Sequence, residues 1–261
     1  MPTEVANIHC EVRGQTHLVP ISFELGEQPL SAILPFAQQL TEQLTKIAIE
    51  QEEQAGKKVS CRAGCGACCR QVIVISFVEA EGIAAAIAKM PLERQEAIRQ
   101  RFAQAIAQLE AAGLLDQTER PGDRSLVGVK ANSSVSAAGE VARRYFEQQI
   151  ACPFLENESC GIYADRPLVC REYHVTSPAE HCQRIYQIGV DRVEVPVNMG
   201  GQLTRTVHQL AGEPLQMLTL VLLLEWLAVR PPPPPRTFDG LQLVQALVTD
   251  MNRTTGRQQQ H

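Results

Sequence analysis

Ser60-Cys61-Arg62-Ala63-Gly64-Cys65-Gly66-Ala67-Cys68-Cys69-Arg70 sets four thiols and two glycines in one short stretch. Glycine tolerates positive φ, so the backbone can fold tightly here and several sulfurs can turn toward one point. An apolar core has no use for four cysteines this close. A metal does, because zinc and iron favour thiolates.

A second set follows some eighty residues later: Cys152, Cys160, Cys170 and Cys182. Together the two sets hold eight thiols, enough for one large cluster or two four-ligand sites. We read all eight as metal ligands. His174 and His181 are substitutes of the right chemistry but lack the paired spacing of zinc histidines. Adjacent side chains diverge, so Cys68 and Cys69 need not serve one tetrahedral ion. The ninth cysteine, Cys10, falls on the apolar face of an alternating run and reads as a small buried hydrophobe.

Composition narrows the class. The chain has 261 residues, a formal charge of −5 and few aromatics. With a pI near 5.7, this balance argues against a general nucleic-acid surface. The N-terminus lacks a basic start and an apolar run, so no secretory signal is expected. The longest apolar run, 217–229, is too short to span a bilayer and contains Glu225. A cytoplasmic protein without membrane contact is the expectation. In a reducing compartment nine cysteines read as ligands rather than disulfides.

Outward from the cysteines, the pattern predicts a mainly α protein with a small N-terminal β-hairpin and an irregular cysteine-rich centre. Ile8, Cys10 and Val12 alternate, as do Val19, Ile21, Phe23 and Leu25, around an Arg13-Gly14-Gln15 turn. A helix is expected from Leu30 to about Gly56. Ser76 and Glu79 form a capping box that opens a helix to about Lys89, and Pro91 starts another that ends at Gly113. Residues 116–138 read as a loop, and 138–149 as a helix delivering Cys152. Further on we expect a strand over Val193, Val195 and Val197, helices over 203–211 and 215–229, a stiff Pro231–Pro235 spacer, and a last helix capped by Asp239. Three parts follow: residues 1–57, a hairpin and helix; 58–190, a metal-binding domain; and 191–261, a helical extension with the polyproline spacer.

Cys61, Cys65 and Cys68 have the C-x3-C-x2-C spacing of radical enzymes that cleave S-adenosylmethionine, but the repeated strand–helix units of their barrel are missing. The larger pattern is sharper. Cys61-x3-Cys65-x2-Cys68-Cys69, then Cys152-Pro153-Phe154-Leu155, Cys160-Gly161-Ile162-Tyr163 and Arg166-Pro167-Leu168-Val169-Cys170-Arg171 closely resembles the YkgJ-type cysteine-cluster family. The resemblance covers roughly residues 58 to 184 and implies a zinc- or iron-chelating protein. The cluster is also similar to that of a bacterial flagellin lysine methylase, which keeps a methyltransferase-like reading open.

Arginines crowd the cysteines. Arg166 and Arg171, inside the family-like motif, are read as second-shell or fold-locking groups, since a guanidinium matches an anionic thiolate centre. The cofactor expected is an iron–sulfur cluster, of four irons, or zinc. With no serine-histidine-acid order, phosphate loop or dinucleotide fingerprint, the sequence names no reaction and no catalytic residue. A protein partner stays open.

Overall fold

A computed structural model describes residues 2–117, 119–127, 135–213, 215, 218–230 and 236–258, with side chains undescribed at 135 and 252–258. The expected Pro231–Pro235 spacer and the end of the tail lie outside the described residues, as does part of the 116–138 loop.

The N-terminal hairpin forms as its alternation dictates. Strands β1 (Thr3–Val12) and β2 (Gln15–Glu24) pair antiparallel with Ile8 opposite Val19 and Val12 opposite Gln15. Arg13 and Gly14 turn the chain with φ of 50° and 75°. The inward face, Ile8, Cys10, Val12, Val19, Ile21 and Phe23, is buried. After β3 (Glu27–Pro29), helix α1 (Ile33–Gln54) lays Ile33, Phe36, Leu40 and Leu44 on that face, at helical spacing. The far end of the chain closes the same core. Helix α7 (Met199–Ala211) supplies Leu203 and Val207, and α9 (Gly240–Gln258) supplies Leu243, Leu247 and Met251. β8 (Thr237–Asp239) pairs with β3, and Asp239 caps α9 by accepting from the Leu241 N–H at 2.9 Å.

The middle of the chain builds a second body of core. Strand β4 (Val74–Ile75) leads into α2 (Phe77–Ala88), capped by Ser76 and Glu79 as expected. Helix α3 (Leu92–Ala111) follows, and α4 (Val135–Glu147) runs toward Cys152. Two-residue strands β5 (Leu155–Glu156) and β6 (Ser159–Cys160) make a miniature hairpin, and α5 (Leu168–Glu172) and α6 (Ile185–Ile188) are short.

Two expectations fail. Val193, Val195 and Val197 form no strand, only an isolated bridge between Arg192 and Val175. Pro196 has no N–H for a ladder, and the segment is held instead by Val193 donating to the His174 carbonyl at 2.9 Å. Nor is 215–229 one helix: β7 (Leu218–Thr219) pairs with β4, and among the described residues of this range only Leu223–Val229 (α8) is α-helical. The run Leu218–Leu224, apolar but for Thr219, has no helical period, and burial on both sides suits an extended start.

Candidate metal centre

The knuckle is made by glycine. Gly64 has φ +79°, which lets the chain reverse between Cys61 and Cys65. Cys65 donates its N–H to the Arg62 carbonyl at 3.2 Å, and Cys69 to Gly66 at 3.0 Å. A 3-10 turn over Ala67–Arg70 then carries the adjacent thiols. At three residues per turn, Cys68 and Cys69 leave the backbone in different directions. Gly66 makes room for the hairpin: a Cβ there would lie 2.5 Å from Glu158 Oε2, 2.8 Å from Leu155 Cδ1 and 3.2 Å from the Glu158 Cα.

Those neighbours belong to the second cysteine set, so the two sets meet. Cys152 donates its N–H to the Cys69 carbonyl at 2.7 Å. Asn157 and Glu158, both with positive φ, turn the β5–β6 hairpin, which places Leu155 opposite Cys160. Glu158 accepts two hydrogen bonds from the Arg70 guanidinium, at 2.7 and 3.0 Å, and Arg70 also reaches the Gly66 carbonyl at 2.8 Å. Helix α3 anchors the hairpin from behind. Arg94 donates to the Gly161 carbonyl at 2.8 Å, and Arg101 to the Pro153 carbonyl at 2.6 Å; both also reach Glu156.

Cys170 arrives on α5 through a buried carboxylate. Glu79 Oε2 accepts from the Ser76 N–H at 2.8 Å, while its Oε1 accepts from the Leu168 N–H at 2.9 Å. The capping box of one helix is thereby also the N-terminal anchor of another. Desolvation raises the Glu79 pKa, against the hydrogen bonds from Ser76 and Leu168. Cys182 sits in a 3-10 turn, Ala179–Arg184, and packs with Cys61 and Cys65 around Ala67 and Val175. Ser60 ties that side shut, donating its N–H to Val175 at 3.0 Å and its hydroxyl to Ser177 at 2.6 Å.

The thiols shape one another's chemistry. Burial pushes Cys152 up to about 12 and Cys182 up to about 11, and neighbouring thiols add to both shifts. Cys170 is raised well above its ordinary value by burial and then by Cys152, Cys68 and Cys160. Cys68 goes the other way. The Cys69 thiol donates to it, and Arg166 and Arg70 favour its thiolate, so Cys69 keeps the proton while Cys68 gives it up.

The two arginines read as second-shell or fold-locking groups stand in different places. Arg166 stacks on Tyr163, 3.8 Å from the ring centroid, and acts electrostatically on Cys68 and Cys160. Arg171 is 6% exposed and turned to the scaffold, donating to the Arg166 carbonyl at 3.0 Å, to the Ala164 carbonyl and to Glu42. Cys10 lies away in the hairpin core, its thiol raised to about 11 by burial. His174 is partly buried, and burial holds its pKa below the ordinary imidazole value. Sequence reasoning missed Glu158 and the second reach of Glu79. The only trace of Glu158 was the two-residue spacing between Glu156 and Ser159.

The donors fit a soft, thiophilic metal: eight cysteines with no disulfide, gathered from both sets around Cys68. Among the described residues no three His, Cys, Asp or Glu side chains are already posed around one ion.

No curated protein and no solved structure matches the chain. A family model does, over residues 60–188: CxxCxxCC, described as "Putative zinc- or iron-chelating domain". That span begins one residue before Cys61 and ends beyond Cys182, taking in all eight clustered cysteines and leaving Cys10 out. Residues 60–188 thus form a domain of the CxxCxxCC cysteine-cluster family.

Proposed function

We propose that the protein holds an iron–sulfur centre on the thiolates of Cys61, Cys65, Cys68, Cys69, Cys152, Cys160, Cys170 and Cys182, and uses it for electron transfer with a protein partner. The observation that carries this is the hydrogen bond from Cys152 to Cys69, which brings two cysteine sets eighty residues apart into one place. Iron–sulfur clusters are held by cysteine thiolates, and their potentials depend on exposure and on nearby hydrogen bonds and charge. Seven of the eight cysteines keep some solvent exposure, which leaves the centre within reach of a partner. Arg166 and Arg70 supply positive charge beside it.

Zinc is the second reading, and a separate observation favours it. Between Cys152 and Cys182 regular structure amounts to two-residue strands and one or two helical turns. A closed four-thiolate zinc site staples such a segment. The test is the metal and acid-labile sulfide content of protein purified without oxygen, with a visible spectrum. Iron and sulfide in near-equal amounts support the cluster; one or two zinc ions in colourless protein support the staple.

A further inference from the structure

We propose that the eight thiols form two separate four-thiolate sites, one from Cys61, Cys65, Cys68 and Cys182, the other from Cys69, Cys152, Cys160 and Cys170. This rests on the reading that the thiols hold metal, and it divides them between two centres that meet at the Cys68–Cys69 peptide bond.

Ligand count comes first. A zinc ion or a four-iron cluster takes four cysteines, so eight are twice what one centre needs. Packing then sorts them. Cys61 and Cys65 lie against Cys182, Ala67 and Val175 in one small apolar group. Cys152 and Cys160 lie against a different group, which contains Phe154, Ile162 and Phe102.

The sulfurs that act on one another follow the same division. Cys182 feels Cys61, Cys68 and Cys65, whereas Cys69 feels Cys152 and Cys170 besides its neighbour Cys68. Cys170 feels Cys152, Cys68 and Cys160. Cys68 acts on both groups, on Cys61 and Cys182 and also on Cys69, Cys152, Cys160 and Cys170, as a residue at the seam should. It falls to the first group because Cys61, Cys65 and Cys182 otherwise lack a fourth thiol. At three residues per turn the two side chains leave the backbone roughly 120° apart. Their thiols touch at the seam, Cys69 donating to Cys68, and each turns to its own group as metal binds. The Cys69 carbonyl, held by the Cys152 N–H, fixes Cys69 to the second group.

The experiment is an anaerobic titration of the reduced, metal-free full chain with cobalt(II), following the thiolate-to-cobalt absorption. The wild type is expected to saturate at two equivalents. Cys182→Ser and Cys160→Ser are each expected to saturate at one, with about half the absorbance, which is one four-thiolate shell of two. Saturation of the wild type at one equivalent overturns the division, as does loss of all binding in either single variant that keeps its far-UV circular dichroism. Should a variant fail to fold, graded chelation of the cobalt-loaded wild type decides: two release steps support two sites and one step overturns them. A wild type that takes up no cobalt rejects the thiolate reading itself, a result distinct from saturation at one equivalent.

Discussion

The backbone N–H of Cys152 lies 2.7 Å from the carbonyl oxygen of Cys69, so the two halves of the cysteine motif are joined by a main-chain hydrogen bond before any metal is considered. Mutations that loosen this junction should act on metal binding.

Gly66 is the clearest test of the junction. Alanine there meets Leu155 and Glu158, and overpacking of this kind costs about 1–3 kcal/mol. Gly66→Ala should lower stability by that amount in urea melts and weaken metal retention against a chelator. Equal retention by Gly66→Ala and wild type would show that the contact with the hairpin is not needed.

The two arginines of the motif should separate. Arg171→Ala strips donors from two backbone carbonyls and from Glu42 in a buried place, with an expected loss of about 2–4 kcal/mol. Arg166→Gln removes positive charge beside Cys68 and should weaken metal affinity with little change in thermal midpoint. Opposite results for the pair would exchange their roles.

Metal uptake should release protons. Cys152 and Cys182, raised to about 12 and about 11, are thiols near neutral pH in the absence of metal, and ligation needs thiolates. Affinity should therefore rise with pH between 6 and 8. Potentiometric or dye-linked titration should detect proton release on cobalt addition; uptake without release would contradict the protonation described here.

Glu52 offers a pH-dependent stability test away from the cysteines. Its carboxyl is buried, paired with Arg13 and with Lys57 at 3.1 Å, and the hydrogen bond from Arg13 holds its pKa below the ordinary 4.5. The folded state thus favours the carboxylate. The stabilisation is present above 4.5 and is lost as pH falls through the lower folded value. Glu52→Gln should cost about 1–2 kcal/mol at pH 7, screening through the partly exposed Arg13 included, and the gap should close in acid. Metal content should stay unchanged. A gap that persists at low pH would assign the loss to packing instead.

How far the sequence could be read depended on the range of each interaction. The β1–β2 hairpin, α1, the Ser76–Glu79 cap and the stop at Gly113 were legible because the signals lie within a few residues. Val193 to Val197 misled because alternation alone does not show that Pro196 and the lack of a partner strand prevent a ladder. The pairing of β4 with β7 joins two-residue strands more than 140 residues apart, too short to leave a pattern. At the centre, which cysteines stand close was foreshadowed by the ordered motif. The anchoring of Leu168 by Glu79 was not, since a capping box gives no sign that its second oxygen serves another helix.

The most direct measurement is the iron, zinc and acid-labile sulfide content of anaerobically purified wild type beside Cys65→Ser, Cys160→Ser and Cys10→Ser. The account predicts iron and sulfide in near-equal amounts in the wild type and in Cys10→Ser, and a loss of about half the metal in each of the other two. Full metal content in Cys65→Ser and Cys160→Ser, or none in the wild type, would contradict it.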